Sequence, residues 1–146
     1  MARLGPGSLT VTNVDATRTA AASDQQLNEL LPILAGVAWL IGAAAIGYLA
    51  FLQLQYSSLG FADANDARSL AMWNGLSAVI TAYFGAMAII APSRARMGGG
   101  AVWAVLNVAY GAFQISEGLT HEAFLIGIVS FGIAGILAFV AWRQRR

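Results

Sequence analysis

"SLAMWNGLSAVITAYFGAMAIIAP", residues 69–92, is the stretch on which the reading of this chain turns. Twenty-three residues pass without a formal charge before Pro92 ends the run. A helix needs about 20 mostly apolar residues to cross a bilayer, so the length suits a crossing. Asn74, Ser77 and Thr81 do not suit a lipid-facing surface, because hydrocarbon offers a polar side chain no hydrogen bond. These three groups must therefore meet protein.

The rest of the composition agrees with a membrane chain. The 146 residues make one domain by length. They are 58% hydrophobic and only 10% charged, with a positive mean hydropathy; soluble domains carry roughly 25% charged residues. A formal net charge of +1 gives no general attraction for nucleic acid. The absence of cysteine excludes disulfides, thiolate catalysis and cysteine-ligated metals.

Three further apolar runs join the first: residues 30–52, 101–116 and 123–142. The run at 101–116 is short unless the residues from Met97 join it. The pattern predicts an all-α, integral membrane four-helix bundle. Its domain spans residues 23–146, with helices at about 24–56, 69–91, 98–116 and 121–142, behind a flexible tail at 1–22. Ser23, three residues before Gln26, has capping-box spacing, which puts Pro32 in an early turn or at a mild kink. Asn65 or Asp66 suits the N-cap of the second helix and Thr120 that of the fourth. "MGGG", residues 97–100, reads as a flexible turn. "SLTVTNV", residues 8–14, alternates like a strand.

Basic residues mark the cytoplasmic side of a membrane protein. Arg3 and Arg18, Arg94 and Arg96, and Arg143, Arg145 and Arg146 fall on segments that four crossings bring to one face. The opposite face holds Asp63, Asp66, Glu117 and Glu122, with Arg68 as its one arginine. The expectation is a multi-pass cell-membrane protein with both termini in the cytoplasm and an uncleaved first helix.

Residues three, four and seven apart share a helix face. Asn74, Ser77, Thr81 and Gly85 make one stripe, beside Ala78, Ala82 and Ala88. Trp103, Asn107, Tyr110, Gly111 and Gln114 make a second, and Gly127, Ser130, Ala134, Ala138 and Ala141 a third. Gly36, Ala43 and Gly47 mark the first helix. Small residues let helices approach and polar ones hydrogen-bond across the seam, so the stripes are expected to face one another. Two readings of the seam stand side by side: hydrogen-bonded glue between helices, or a ligand cavity at the same place. Gln53, Gln55, Arg68, Asn74 and Gln114 cluster toward the outer end, with Tyr56 and Trp73 at that level. That asymmetry suits a cup and not a channel, which needs polar lining along its whole length.

Candidate groups for chemistry are few. His121 is the only histidine, and with Glu117 and Glu122 it offers nitrogen and oxygen donors of a kind metals accept. A capped turn between helices explains the same residues more simply, and no metal or other cofactor is assigned. Arg68, near Asp63 and Asp66, is the natural anchor for an acidic or polar headgroup, although an exposed ion pair would explain it too. Charged residues deep in a span, the usual mark of pumps and proton-coupled transporters, are missing.

The four short helices, the arginine that opens the second in "DARSLAMWNGL", the glycine-rich segment after it and the basic C-terminus resemble small bacterial membrane proteins of the DoxX-like kind. The resemblance covers roughly residues 30–146. It implies a quinone or lipid headgroup near Arg68 and Asn74, and a partner subunit for any redox role.

The resulting expectation is an accessory subunit, or a binder of a lipid or quinone, using Arg68, Trp73, Asn74, Asn107, Tyr110 and Gln114. Its partners would be membrane lipid and a membrane subunit or further copies of itself. An intramembrane cyclase or isomerase is the alternative, with Asp66, Glu117, His121 or Glu122 as acid or base, provided they converge over the seam between Asn74 and Asn107. A small facilitator-type transporter is the other.

Overall fold

From Ser8 to Leu31 the sequence holds neither glycine nor proline, and one helix runs through it. The computed structural model describes residues 8–58, 64–118 and 121–145. Among them it is all-helical: α1 spans Ser8–Ser58, α2 Ala64–Ile90, α3 Arg94–Ser116 and α4 Glu122–Gln144.

Helix boundaries differ from the sequence expectations in four places. The backbone of residues 8–22 is helical, so the alternation at 8–14 is not a strand, and Ser23 and Gln26 lie inside α1 instead of capping it. Pro32 is consequently an interior residue, with its ring buried in the bundle. Asn65 and Asp66 sit in the first turn of α2 and not before it, where the Asp66 carboxylate complements the helix dipole. Glycines 98–100 are helical: the turn is Ala91–Ser93, and the Ser93 side chain accepts the Arg96 N–H at 3.3 Å to start α3. At the fourth helix, His121 is the N-cap, its Nδ1 accepting the Ala123 N–H at 3.2 Å. Thr120 lies outside the described residues.

Gly118 does stop α3, as its position between Glu117 and His121 suggests. It adopts φ +94°, a conformation open to glycine at little cost. Its N–H bonds the Ile115 carbonyl at 3.0 Å.

α1 is the spine. It packs along both α2 and α4, α3 packs on α4, and α2 and α3 scarcely approach each other although they are consecutive. The spatial order is α2, α1, α4, α3. Glycines set the close crossings. A methyl group on Gly36 would come within 2.8 Å of the Gly85 carbonyl, and one on Gly42 within 2.5 Å of the Phe131 ring. Gly127 receives Ile46, and Gly111 receives Ile128. The run at 98–100 has the same use: Gly98 seats Trp142, and Gly100 seats Trp39 with Phe84 beside it. A helical glycine costs roughly 1 kcal/mol relative to alanine, and here each of these two makes room for an indole ring.

The predicted stripes turn inward in part, with Ser77, Trp103, Gln114 and Ser130 half-buried and Tyr110 exposed. Asn74, Thr81, Gly85, Asn107, Gly111, Gly127, Ala134, Ala138 and Ala141 are buried. Trp39, Phe124, Phe131 and Met97 fill the centre. Outward faces carry leucine, isoleucine, valine and phenylalanine. Three helical segments are long and apolar enough to cross a membrane: Gln25–Tyr56, Asp66–Ile90 and Glu122–Gln144. Their length and composition fit a membrane protein. α3 is not among them. Its 23 residues would reach about 35 Å, but two arginines, four glycines, Asn107 and Gln114 lower its apolarity.

The crossing geometry gives a paired prediction. Gly36→Ala forces a methyl against the Gly85 carbonyl, whereas a methyl on Gly132 meets nothing within 4 Å. In detergent titrations followed by circular dichroism, Gly36→Ala is expected to destabilise by about 1–3 kcal/mol. Gly132→Ala should be neutral or slightly stabilising. Equal stability of the two variants would remove the close crossing as the organising contact.

Candidate functional site

Because α2 packs mainly on α1 and α3 on α4, with little direct packing between the two, a gap is left between them. Side chains close its lower part. Counting away from the Ala91–Ser93 turn, the Trp103 indole N–H donates to Thr81 Oγ1 at 3.0 Å. One helical turn further, Ser77 Oγ donates to Asn107 Oδ1 at 2.6 Å, while Asn107 Nδ2 donates to the Trp103 carbonyl at 2.9 Å. Above this point the gap opens into a cleft of about 420 Å³, within the usual size range of small-molecule sites.

The cleft has a layered lining. Ile46 of α1 with Phe124, Ile128 and Phe131 of α4 form an apolar back wall. Asn74 and Asn107, exposed by only 2% and 8%, place two amides among them, with Ser77 alongside. Trp73, Leu76, Leu106 and Tyr110 form the lips and are exposed. No acidic or basic residue lines it. Asn74 is steadied from behind, its Nδ2 donating to Gln53 Oε1 of α1 at 3.0 Å.

Four of the six residues picked from sequence as ligand-binding therefore come together: Trp73, Asn74, Asn107 and Tyr110. Gln114 stands one turn above, donating to the Tyr110 hydroxyl at 2.8 Å, and does not itself line the cleft. Arg68 is exposed and outside the lining. Sequence reasoning had Ser77 and Trp103 on the right stripes but did not give them to the site. It missed the back wall, because Ile46, Phe124, Ile128 and Phe131 look like any core residue until the helix order is known.

The candidate acids and bases are elsewhere. Asp66, Glu117, His121 and Glu122 are exposed at helix ends, and none lines the cleft. Asp66 and Glu122 occupy first helical turns, Glu117 closes α3 and His121 caps α4. The convergence that acid–base chemistry over the Asn74–Asn107 seam requires is not present in this arrangement.

The opposite end of the bundle is basic. Arg96 donates to the Ala91 carbonyl at 2.6 Å and Arg145 to the Pro92 carbonyl at 3.0 Å, so two guanidinium groups cap the end of α2. The Arg94 guanidinium lies 5.4 Å from the Trp142 ring centre, a cation–π distance. A second concavity lies between α3 and α4, lined by Ala104, Val108, Ala112, Phe131, Gly132 and Phe139 among others. It holds no polar side chain that could orient a ligand.

No protein-family model, curated protein sequence or solved structure matches this chain.

The Thr81–Trp103 bond is the first side-chain tie holding α3 to α2 beyond the turn. In a double-mutant cycle of Thr81→Val and Trp103→Phe, the expected coupling is about 0.5–1 kcal/mol. Additive losses would mean that the bond contributes nothing to the seam.

Proposed function

We propose that this protein is an integral membrane four-helix bundle that binds a hydrophobic ligand, such as a lipid or quinone, in the cleft between α2 and α3. The observation that carries the reading is the lining: two buried amides and a hydroxyl set in an aromatic and aliphatic pocket, where α2 and α3 stand apart. Polar groups needed only as glue between helices would sit fully buried in a closed seam, as Thr81 does. An apolar pocket with a few fixed polar groups is the usual form of a small-molecule site.

In this reading all four helices lie in the cell membrane, α3 crossing in the shelter of α4. Arginines at 94, 96, 143 and 145 hold one end at the cytoplasmic face, where anionic lipid favours them. Both termini are then cytoplasmic, and the cleft opens toward the outer leaflet. The protein acts by holding its ligand or presenting it to a membrane partner, since the cleft contains no acid or base of its own.

Two measurements test this. The first is native mass spectrometry from nanodiscs. The wild type is expected to retain a bound small molecule that Asn74→Leu loses at equal folded yield; bulk lipid alone on both would reduce the amides to structural glue. The second is orientation. The chain has no cysteine, so single cysteines report cleanly. Glu117→Cys should react with an impermeant maleimide on intact spheroplasts and Ala95→Cys only after lysis; the reverse pattern would invert the topology.

A further inference from the structure

The hydrogen-bond inventory of the cleft narrows the ligand class, given the ligand-site reading above. Each polar lining residue uses part of its capacity within the protein and leaves a defined remainder. An asparagine side chain has two N–H donors and a carbonyl acceptor. Asn74 commits one N–H to Gln53, which leaves its second N–H and its Oδ1, the latter without a partner among the described residues. Asn107 accepts from Ser77 and donates once to the Trp103 carbonyl, leaving its second N–H. The Tyr110 hydroxyl accepts from Gln114, leaving its O–H hydrogen. The cleft therefore offers an acceptor and a donor on the α2 side, with the lone pairs of Ser77 Oγ beside them, and two donors on the α3 side.

We infer that the cleft selects an uncharged amphiphile headed by a hydroxyl group. The hydroxyl donates to Asn74 Oδ1 and accepts from Asn107 Nδ2 or the Tyr110 hydroxyl. Its hydrocarbon chain lies on Phe124, Phe131 and Ile46 and leaves between Leu76 and Leu106. A hydroxyl is the smallest group that both gives and takes a hydrogen bond. A carbonyl alone would leave Asn74 Oδ1 unsatisfied in a site where the residue is 2% exposed, and an unmatched buried acceptor is costly. A phosphate headgroup would bring charge into a lining without a cation, which burial penalises more heavily.

Matched probes decide the matter: farnesol, its methyl ether and its phosphate share one chain and differ only at the head. Binding of tritiated farnesol to the full-length protein in micelles is measured directly and then by competition. Saturable farnesol binding is expected, with the ether and the phosphate each at least about fivefold weaker, the equivalent of one lost hydrogen bond. Asn74→Leu should erase the preference for farnesol over the ether. Tyr110→Phe, which removes only a hydroxyl at an exposed lip, should lower farnesol affinity by a few fold while the protein stays folded. If the ether competes as well as farnesol, the site stands and the hydroxyl inference falls. Preference for the phosphate also overturns it. If farnesol binding never saturates, the ligand-site reading itself fails.

Discussion

The close approach of α1 to two neighbours is the constraint on which the bundle depends. Gly36 against Gly85, and Gly42 with Gly127 around Phe131 and Ile46, let α1 serve α2 and α4 together. With both flanks of α1 taken, α3 has α4 as its remaining broad contact. The distance between α2 and α3 is then a consequence of packing elsewhere. What fills it is whatever side chains can reach across, and long or hydrogen-bonding groups do so: the Trp103 indole to Thr81, and Ser77 to Asn107.

This explains why polar residues are placed as they are. Lipid cannot satisfy them, and a tight glycine crossing has no room for them. The looser α2–α3 seam admits most of them, and Gln53 of α1 reaches Asn74 from behind. Where the seam is narrow their hydrogen bonds are consumed between helices. Where it widens, some donors and acceptors remain over, and Asn74, Asn107 and Tyr110 turn that remainder toward an enclosed space.

Much of this was legible in the sequence. Apolar run lengths located the four helices, and spacing of three and four placed Asn74, Thr81, Asn107 and Gly127 on inward faces. Helix starts were less legible because local signals compete. Ser23 with Gln26 has the spacing of a cap, but no breaker precedes it, so the helix simply continues through. The glycines at 98–100 look like a turn in isolation, and only the rings of Trp39 and Trp142, distant in sequence, make them a helical surface. The back wall of the cleft was not legible at all. It depends on α1 and α4 being adjacent, a property of the whole helix order and not of any local pattern. Arg68 attracted attention as the one arginine of its face, yet rarity in sequence does not bring a side chain into a pocket.

The turn at Ala91–Ser93 also has mechanical meaning. Arg96 and Arg145 clamp its carbonyls, so α2 and α3 are joined firmly at one end and held only by side chains along their length. In geometry such a pair resembles tweezers. Asn74 stands 17 residues from the turn, a lever arm of about 25 Å at the helical rise. A rotation of about 5° at the turn would part the lips by about 2 Å over that arm, enough to admit a hydrocarbon chain. The displacement shrinks toward the turn: at Gly85, six residues from Ala91, the same rotation moves α2 by only about 0.8 Å.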